Sequence, residues 1–181
     1  RLAAEMLAKG TVAAVLPASR SVQVGTPATA FVTIINAGSA PARGAGMVVK
    51  TSLPATCSFQ ATDPATNVVT GTANGRVDIS AGQSQSFVIA LTPTAPITST
   101  EVEFTFAGTN AAPVSTLVGV NTFLFSASAT PVPDIVALGA TLNNDGIVNI
   151  PGTIATGVFA VATVNVGASA TITASADTGA A

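Results

Sequence analysis

The sequence contains no histidine, no tryptophan and no tyrosine, and its single cysteine is Cys57. Histidine is the commonest general base and the commonest metal ligand in proteins. Without it the chain cannot build a Ser-His-Asp or Cys-His nucleophile, and with one cysteine it cannot build the usual zinc sites. A single cysteine also excludes an intrachain disulfide. We therefore expect no enzyme activity, no metal site and no cofactor.

Charge is also scarce. Charged residues make up 8% of the 181 residues and the net charge is −2, whereas about 25% of an ordinary globular protein is charged. Six scattered basic residues do not form the basic stripe that nucleic-acid binding needs, so no nucleic-acid partner is expected. A surface with so little charge repels its own copies weakly, which favours self-association.

Long hydrophobic runs are missing, although the mean hydropathy is +0.61. The apolar content is mostly alanine and valine interrupted by threonine, serine and glycine. No stretch approaches the roughly 18–20 apolar residues of a membrane-spanning helix. The eight phenylalanines fall mostly at inward-facing strand positions, and the Trp and Tyr side chains that commonly line sugar-binding and antibody-like sites are absent. We expect neither a membrane span nor a small-molecule ligand.

From Thr11 onward the sequence consists of short β-rich runs separated by Gly, Pro, Asn and Ser clusters. This pattern is typical of a β-sandwich or barrel. Strict alternation within 101–107 places Val102, Phe104 and Phe106 on one face. Pro17 splits the first strand, which predicts an edge position. The predicted strands of the first domain are 11–16, 20–24, 28–35, 46–52, 56–61, 67–70, 76–79, 84–91, 101–107 and 117–127.

The composition divides the chain into four parts. Residues 1–10 form a helix-compatible N-terminal extension, and 11–129 form the sandwich. Residues 130–133 contain two prolines and predict a stiff linker. Residues 134–181 predict a second β domain with strands at 134–138, 146–150, 157–166 and 170–176 and a hairpin turn at Asp145-Gly146. Because so few strands cannot close a two-sheet core, this domain is predicted to be incomplete or completed by another chain.

Two short motifs have a catalytic or metal-binding alternative. Residues 176–180 spell the Asp-Thr-Gly signature of aspartic proteases, but such an enzyme needs two aspartates that share a proton. Residues 143–146 carry the oxygen ligands of a calcium loop but lack the spacing and the final Glu of an EF-hand. A turn is the favoured interpretation of both. Cys57 is interpreted as a partly buried apolar side chain, with an intermolecular disulfide as the alternative.

The segment 32–49, which reads VTIINAGSAPARGAGMVV, combines a strand ending in Asn-x-Gly, a turn of small residues and a second valine-rich strand. Together with the turn and strand at 79–88 it resembles the bacterial immunoglobulin-like, cell-adhesion-related repeats. The resemblance covers residues 11–127. It implies an immunoglobulin-like β-sandwich module of secreted, surface or filament proteins, and it carries over no functional residues because such modules share an architecture and not a site.

These patterns lead to a functional prediction. The chain is expected to be a structural subunit of an extracellular or cell-surface assembly, such as a filament, sheath or coat. Its copies would self-associate into a homopolymer through β-strand and apolar contacts. The alternative is an adhesin or spacer module of a longer surface protein. In the first hypothesis residues 1–16 are donated to the incomplete second domain of a neighbouring subunit. The predicted contact residues are Val12, Val15 and Leu16 on the donor and Val158, Phe159, Val161 and Val164 on the acceptor.

Overall fold

A computed structural model describes residues 10–142, 148–150, 152–153 and 156–173 of the chain. In these residues the protein is all-β, without a helix, as the sequence predicts. No helix in this described part is long and apolar enough to cross a membrane. The strands are β1 (Thr11–Leu16), β2 (Ser19–Gln23), β3 (Ala28–Asn36), β4 (Ala42–Val49), β5 (Ala55–Thr62), β6 (Val77–Ile79), β7 (Ser84–Pro93), β8 (Ile97–Ala107), β9 (Thr122–Ser128), β10 (Ile135–Thr141) and β11 (Phe159–Asn165).

Two sheets form a sandwich. One has the strand order β1-β3-β7-β5 and the other the order β2-β9-β8-β4-β6. The sequence period of two explains why each strand has one buried face: in β3, for example, the side chains from Ala28 to Asn36 alternate between buried and exposed. The same alternation in β8 buries Val102, Phe104 and Phe106, as predicted. Side chains from the two inner faces therefore meet in one core.

Phenylalanine dominates that core. Phe87 of one sheet and Phe123, Phe125 and Phe106 of the other are at most 1% exposed. The Phe123 and Phe125 rings stack with centroids 5.9 Å apart, and Phe59 meets Phe87 edge to face at the same distance. Such arrangements suit the ring quadrupoles and add to the energy of burial.

The first strand changes sheets at Pro17. β1 pairs antiparallel with β3, whereas β2 pairs parallel with β9 in the other sheet. A cis peptide bond joins Leu16 to Pro17 between the two strands. Both β1 and β2 are terminal in their sheets, which agrees with the edge position predicted from the proline.

Several strand predictions of the sandwich are wrong in extent: the strand predicted at 46–52 spans Ala42–Val49, and the one predicted at 101–107 begins at Ile97. Residues 67–70 contribute a single bridge between Thr62 and Val69 and no strand. The last strand begins at Thr122 and not at 117, because the buried Asn121 side chain organises a turn before it. The side-chain oxygen of Asn121 accepts the Leu117 N–H at 2.7 Å, and its side-chain amide donates to the Ser115 carbonyl at 2.8 Å.

The described residues of the C-terminal part contain fewer strands than predicted. β10 and β11 pair with each other and form a separate two-stranded sheet. Residues 148–150 and 170–173 are not in strands, which corrects the described portions of the strands predicted at 146–150 and 170–176. No neighbouring strand lies beside these residues, within the described ranges, to complete a ladder with them. Residues 1–9, the turn motif at 143–146 and the motif at 176–180 lie outside the described residues, and the domain boundaries stay a prediction.

Candidate contact surface on the β10–β11 ribbon

The two-stranded sheet of β10 and β11, called the ribbon below, lacks a covering layer among the residues that the structure describes. Every residue of β11 except Asn165 is exposed. Phe159 is 61% exposed, Val161 58% and Val164 55%, in contrast to the fully buried phenylalanines of the sandwich. An isolated pair of strands is at best marginally stable in water, since it has no second layer to bury its apolar side chains. The ribbon is therefore the part of the described chain that most needs a partner.

Both faces of the ribbon carry apolar side chains. Because side chains alternate along a strand, Phe159 and Val161 lie on one face and Val164 lies on the other. Val164 is opposite Val136 and Ala162 is opposite Leu138 in the antiparallel register. No charged residue occurs in β10 or β11. Contacts at this surface thus depend on shape, apolar burial and backbone hydrogen bonds.

The predicted acceptor residues gather on and just before β11. Val158, which precedes the strand, is 77% exposed. It also lines an open groove of about 550 Å³ at one end of the ribbon, together with Leu142, Val148 and Phe159. Among the residues that the structure describes, those that line the groove are uncharged and give it an apolar character.

The predicted donor residues lie elsewhere and in a different setting. β1 pairs along its whole length with β3 of the same chain. Val15 is 1% exposed, and its N–H donates to the Val120 carbonyl at 2.8 Å. Val12 is half-buried and Leu16 is 62% exposed. Because Val15 fills the core of its own sandwich, it is not available for a contact between subunits, whereas residues 1–9 of the predicted donor segment lie outside the described residues.

A buried ion pair fixes the start of the ribbon to the sandwich. The Asp134 carboxylate, just before β10, accepts a hydrogen bond from Arg20 Nε at 2.7 Å and one from the Ser21 N–H at 3.0 Å. The exposed fractions of the Arg20 and Asp134 side chains are 14% and 4%. Arg20 also donates to the Thr29 carbonyl at 2.7 Å. β2 therefore holds the residue from which the ribbon departs.

Asn165 closes the same end of the ribbon from the other strand. Its side-chain oxygen accepts the N–H groups of Asp134 and Gly167, both at 3.0 Å, and its amide donates to the Ala168 carbonyl at 2.7 Å. The Val166 N–H donates to the Asp134 carbonyl at 2.9 Å. The sequence analysis missed this polar cluster, although Asn165-x-Gly167 repeats the Asn36-x-Gly38 pattern and could have revealed it.

Several other ionisable groups of the described chain make local contacts within the sandwich. Lys50 pairs with Glu103 at 2.7 Å and Arg43 with Asp78 at 2.5 Å, and both pairs are solvent-exposed. The Gly44 N–H and then Arg43 lower the pKa of Asp78 by hydrogen bonding to its carboxylate. Burial raises the pKa of the Cys57 thiol. In the described ranges no three His, Cys, Asp or Glu residues are grouped so that they could hold a metal ion.

Comparisons with known proteins identify no family. No protein-family model and no curated protein matches the sequence. Eight chains of solved structures match it. One comes from a structural analysis of glycolipid glycan hydrolysis by a family 123 glycoside hydrolase from Clostridium perfringens. It is 10% identical, with a TM-score of 0.39, and the match covers 65% of this chain and 26% of that chain. A likeness this distant has no bearing on activity.

Proposed function

We propose that the chain is a non-catalytic structural module of an extracellular assembly, such as a filament, sheath or surface coat, and that the ribbon is its contact surface for a second copy. The observation that carries the proposal is the exposed apolar ribbon with no covering layer in the described chain. Copies would associate through backbone pairing at strand edges and burial of apolar side chains.

The energetics of burial support this role. Covering an exposed Phe or Val side chain contributes about 1.5–3 kcal/mol. Phe159, Val161 and Val164 are each more than half exposed. A charged partner would lose hydration against the uncharged ribbon without gaining an ion pair, because burying an unpaired charge is costly. An uncharged apolar strand avoids that cost, and the chain has several such strands, which favours a second copy as the partner.

We further propose that the sandwich is of the immunoglobulin type. The order β1-β3-β7-β5 corresponds to strands A, B, E and D of that fold, and β4, β8 and β9 correspond to strands C, F and G. The first strand, which is split between the sheets, supports the same assignment. Modules of this type serve as spacers and building units without a shared site.

A charge placed on the ribbon tests the assembly role. We expect Val161→Asp to reduce association by at least about tenfold, because association would bury an unpaired carboxylate. Val48→Asp is the matched control, since Val48 lies in β4 of the sandwich and is 56% exposed against 58% for Val161. Sedimentation velocity over a concentration series measures the association, and negative-stain electron microscopy reports whether ordered fibres form.

The pair of variants gives a clear decision. Association by the wild type and Val48→Asp but not by Val161→Asp would support the ribbon as the contact surface. A wild type that stays monomeric throughout the series, or variants that associate equally, would contradict it.

The second candidate is an adhesin or spacer module of a longer surface protein. The buried pair of Arg20 and Asp134 favours it, since a fixed junction between sandwich and ribbon suits a stiff spacer. A spacer would remain monomeric in the same sedimentation series. Small-angle scattering would then give one fixed distance distribution that does not change with concentration.

A further inference from the structure

We infer that the ribbon is a structural repeat of the β1–β3 pair, and that the open edge of β11 receives an antiparallel apolar strand of the kind that β7 supplies to β3. The inference rests on the proposed role of the ribbon as a contact surface. It deepens that role by naming the edge, the face and the chemistry of the incoming strand.

The strand registers coincide. β1 and β3 are antiparallel with Thr11 opposite Asn36, and β10 and β11 are antiparallel with Ile135 opposite Asn165. In each pair the later strand ends in Asn-x-Gly, at 36–38 and at 165–167. One residue further into each ladder, two β-branched residues lie opposite each other: Val12 and Ile35 in the first pair, and Val136 and Val164 in the second.

The two asparagines share the contact that closes the turn, although Asn36 also donates to the Ile79 carbonyl and Asn165 also accepts the Asp134 N–H. The Asn36 oxygen accepts the Gly38 N–H at 3.0 Å, as the Asn165 oxygen accepts the Gly167 N–H at 3.0 Å. The Asn36 amide donates to the Ala40 carbonyl, four residues on, and the Asn165 amide to the Ala168 carbonyl, three residues on. Each asparagine thus closes the turn that follows its strand, which is a typical use of Asn side chains.

The glycines of the two motifs have equivalent neighbours. A Cβ on Gly38 would lie 3.4 Å from the Cα of Gly10, the residue before β1. A Cβ on Gly167 would lie 2.7 Å from the backbone nitrogen of Asp134, the residue before β10, and would also overlap the Val132 carbonyl. In both pairs the glycine thus lies against the residue that precedes the neighbouring strand, and at Gly167 the approach is so close that it requires a residue without a Cβ.

The equivalence assigns roles to the edges and faces of the ribbon. One edge of β3 pairs with β1 and the other with β7. β11 pairs with β10 on the first edge, and its second edge, the position of β7, is open in the described chain. The buried face of β3 includes Val32 and Asn36, so its counterpart on β11 is the face of Phe159, Val161 and Asn165. That face is expected to receive the covering layer.

The occupant follows from what fills the equivalent place in the sandwich. β7 has no charged residue, and its buried side chains Phe87, Ile89 and Leu91 alternate along the strand. β11 is also uncharged. An incoming strand of this composition would complete the backbone ladder and cover the exposed valines without burying a charge.

A cysteine cross-link tests both the edge and the register. Ser86 is opposite Thr33 in the sandwich, and Ala162 is the counterpart of Thr33 in β11. The probe is a synthetic peptide of residues 84–93 carrying Ser86→Cys, added to the full chain carrying Cys57→Ser and Ala162→Cys. We expect disulfide formation at least about fivefold faster than with a Val88→Cys peptide. A disulfide needs Cα atoms about 4.4–6.8 Å apart, and position 86, not position 88, would lie opposite residue 162.

Ala140→Cys is the matched control, because Ala140 is an exposed alanine on β10, the strand equivalent to the terminal β1. Equal reaction at Ala140→Cys, no preference between the two peptides, or a yield no higher than with a scrambled peptide would overturn the inference. Faster disulfide formation between two Ala162→Cys chains than with the peptide would overturn the choice of a β7-like strand. The measurement is made at a concentration where sedimentation shows monomers, so its failure is distinct from a failure of self-assembly.

Discussion

Phe123 illustrates how a few large side chains hold the sandwich together. It is fully buried in β9, stacks on Phe125 and lies in the sheet opposite Phe87. The chain has eight phenylalanines and no other aromatic residue. Phe31 in β3, by contrast, lies on the outer face and is 40% exposed. The two residues therefore provide a comparison of the same side chain in two environments.

We expect Phe123→Ala to lower the free energy of unfolding by about 3–5 kcal/mol, through lost apolar burial and the cavity that remains. Phe31→Ala is the control and should cost less than about 1.5 kcal/mol, because its side chain is already partly in water. Urea unfolding followed by circular dichroism measures both, with the slopes compared to check that the unfolded states are alike. Equal losses would show that the core is not centred on Phe123.

Single residues were the least predictable part of the molecule. The buried positions of Phe104 and Phe106 followed directly from the alternation in β8. The pairing of Asp134 with Arg20 did not, because the two residues are far apart in sequence and no local pattern brings them together. A turn side chain such as Asn121 likewise acts through contacts that only the folded chain defines.

At the scale of the strands, the glycine that follows β11 differs from the glycine within β10. Gly167 follows the strand closely packed against Asp134 and Val132, whereas Gly139 in the middle of β10 has open space where a Cβ would be. The sequence shows both glycines but does not indicate that only one of them is confined. This difference gives a test of whether the turn after β11 holds the ribbon together.

We expect Gly167→Ala to weaken the ribbon, because the new methyl group would overlap the Val132 carbonyl and force the turn away from Asp134. Hydrogen exchange of the β11 amides should speed up by at least about tenfold, equivalent to about 1.4 kcal/mol of local opening. Gly139→Ala should leave that exchange unchanged or slower, since alanine restricts the unfolded chain more than glycine does. Faster exchange in Gly139→Ala alone would contradict the role of Gly167 in holding the ribbon together.

Strand prediction was more accurate where one face of the strand is buried than in the C-terminal part of the chain. Alternating runs such as those of β3 and β8 were found because a core enforces their period of two. In the C-terminal part the same reasoning predicted extra strands at 146–150 and 170–176, but strand propensity without a neighbouring strand does not form a ladder, and residues 148–150 and 170–173 remain outside strands. The strand that carries Phe159, Val161 and Val164 was nevertheless predicted, whereas the role of these residues in contacts stays a prediction.

At the scale of the whole molecule, the contact between Arg20 and Asp134 links the sandwich to the ribbon. Arg20 belongs to β2, and Asp134 directly precedes β10. Their side chains are largely buried, so removing one partner leaves the other charge poorly solvated. The exposed pair of Arg43 and Asp78 lies within the sandwich between β4 and β6. It has similar chemistry, but water screens it.

We expect a double-mutant cycle with Arg20→Leu and Asp134→Leu to give a coupling energy of at least about 1.5 kcal/mol. Each single change leaves one buried charge without its partner, whereas the double change removes both charges. The equivalent cycle with Arg43→Leu and Asp78→Leu should give less than about 1 kcal/mol, as is typical of exposed pairs. Chemical unfolding measures both cycles, and small-angle scattering should show a broader distance distribution for Asp134→Leu than for Asp78→Leu. Equal couplings together with unchanged scattering would mean that the pair does not orient the ribbon. A large coupling with broadened scattering would mean that the direction in which the ribbon presents β11 to its partner is set by this one buried contact.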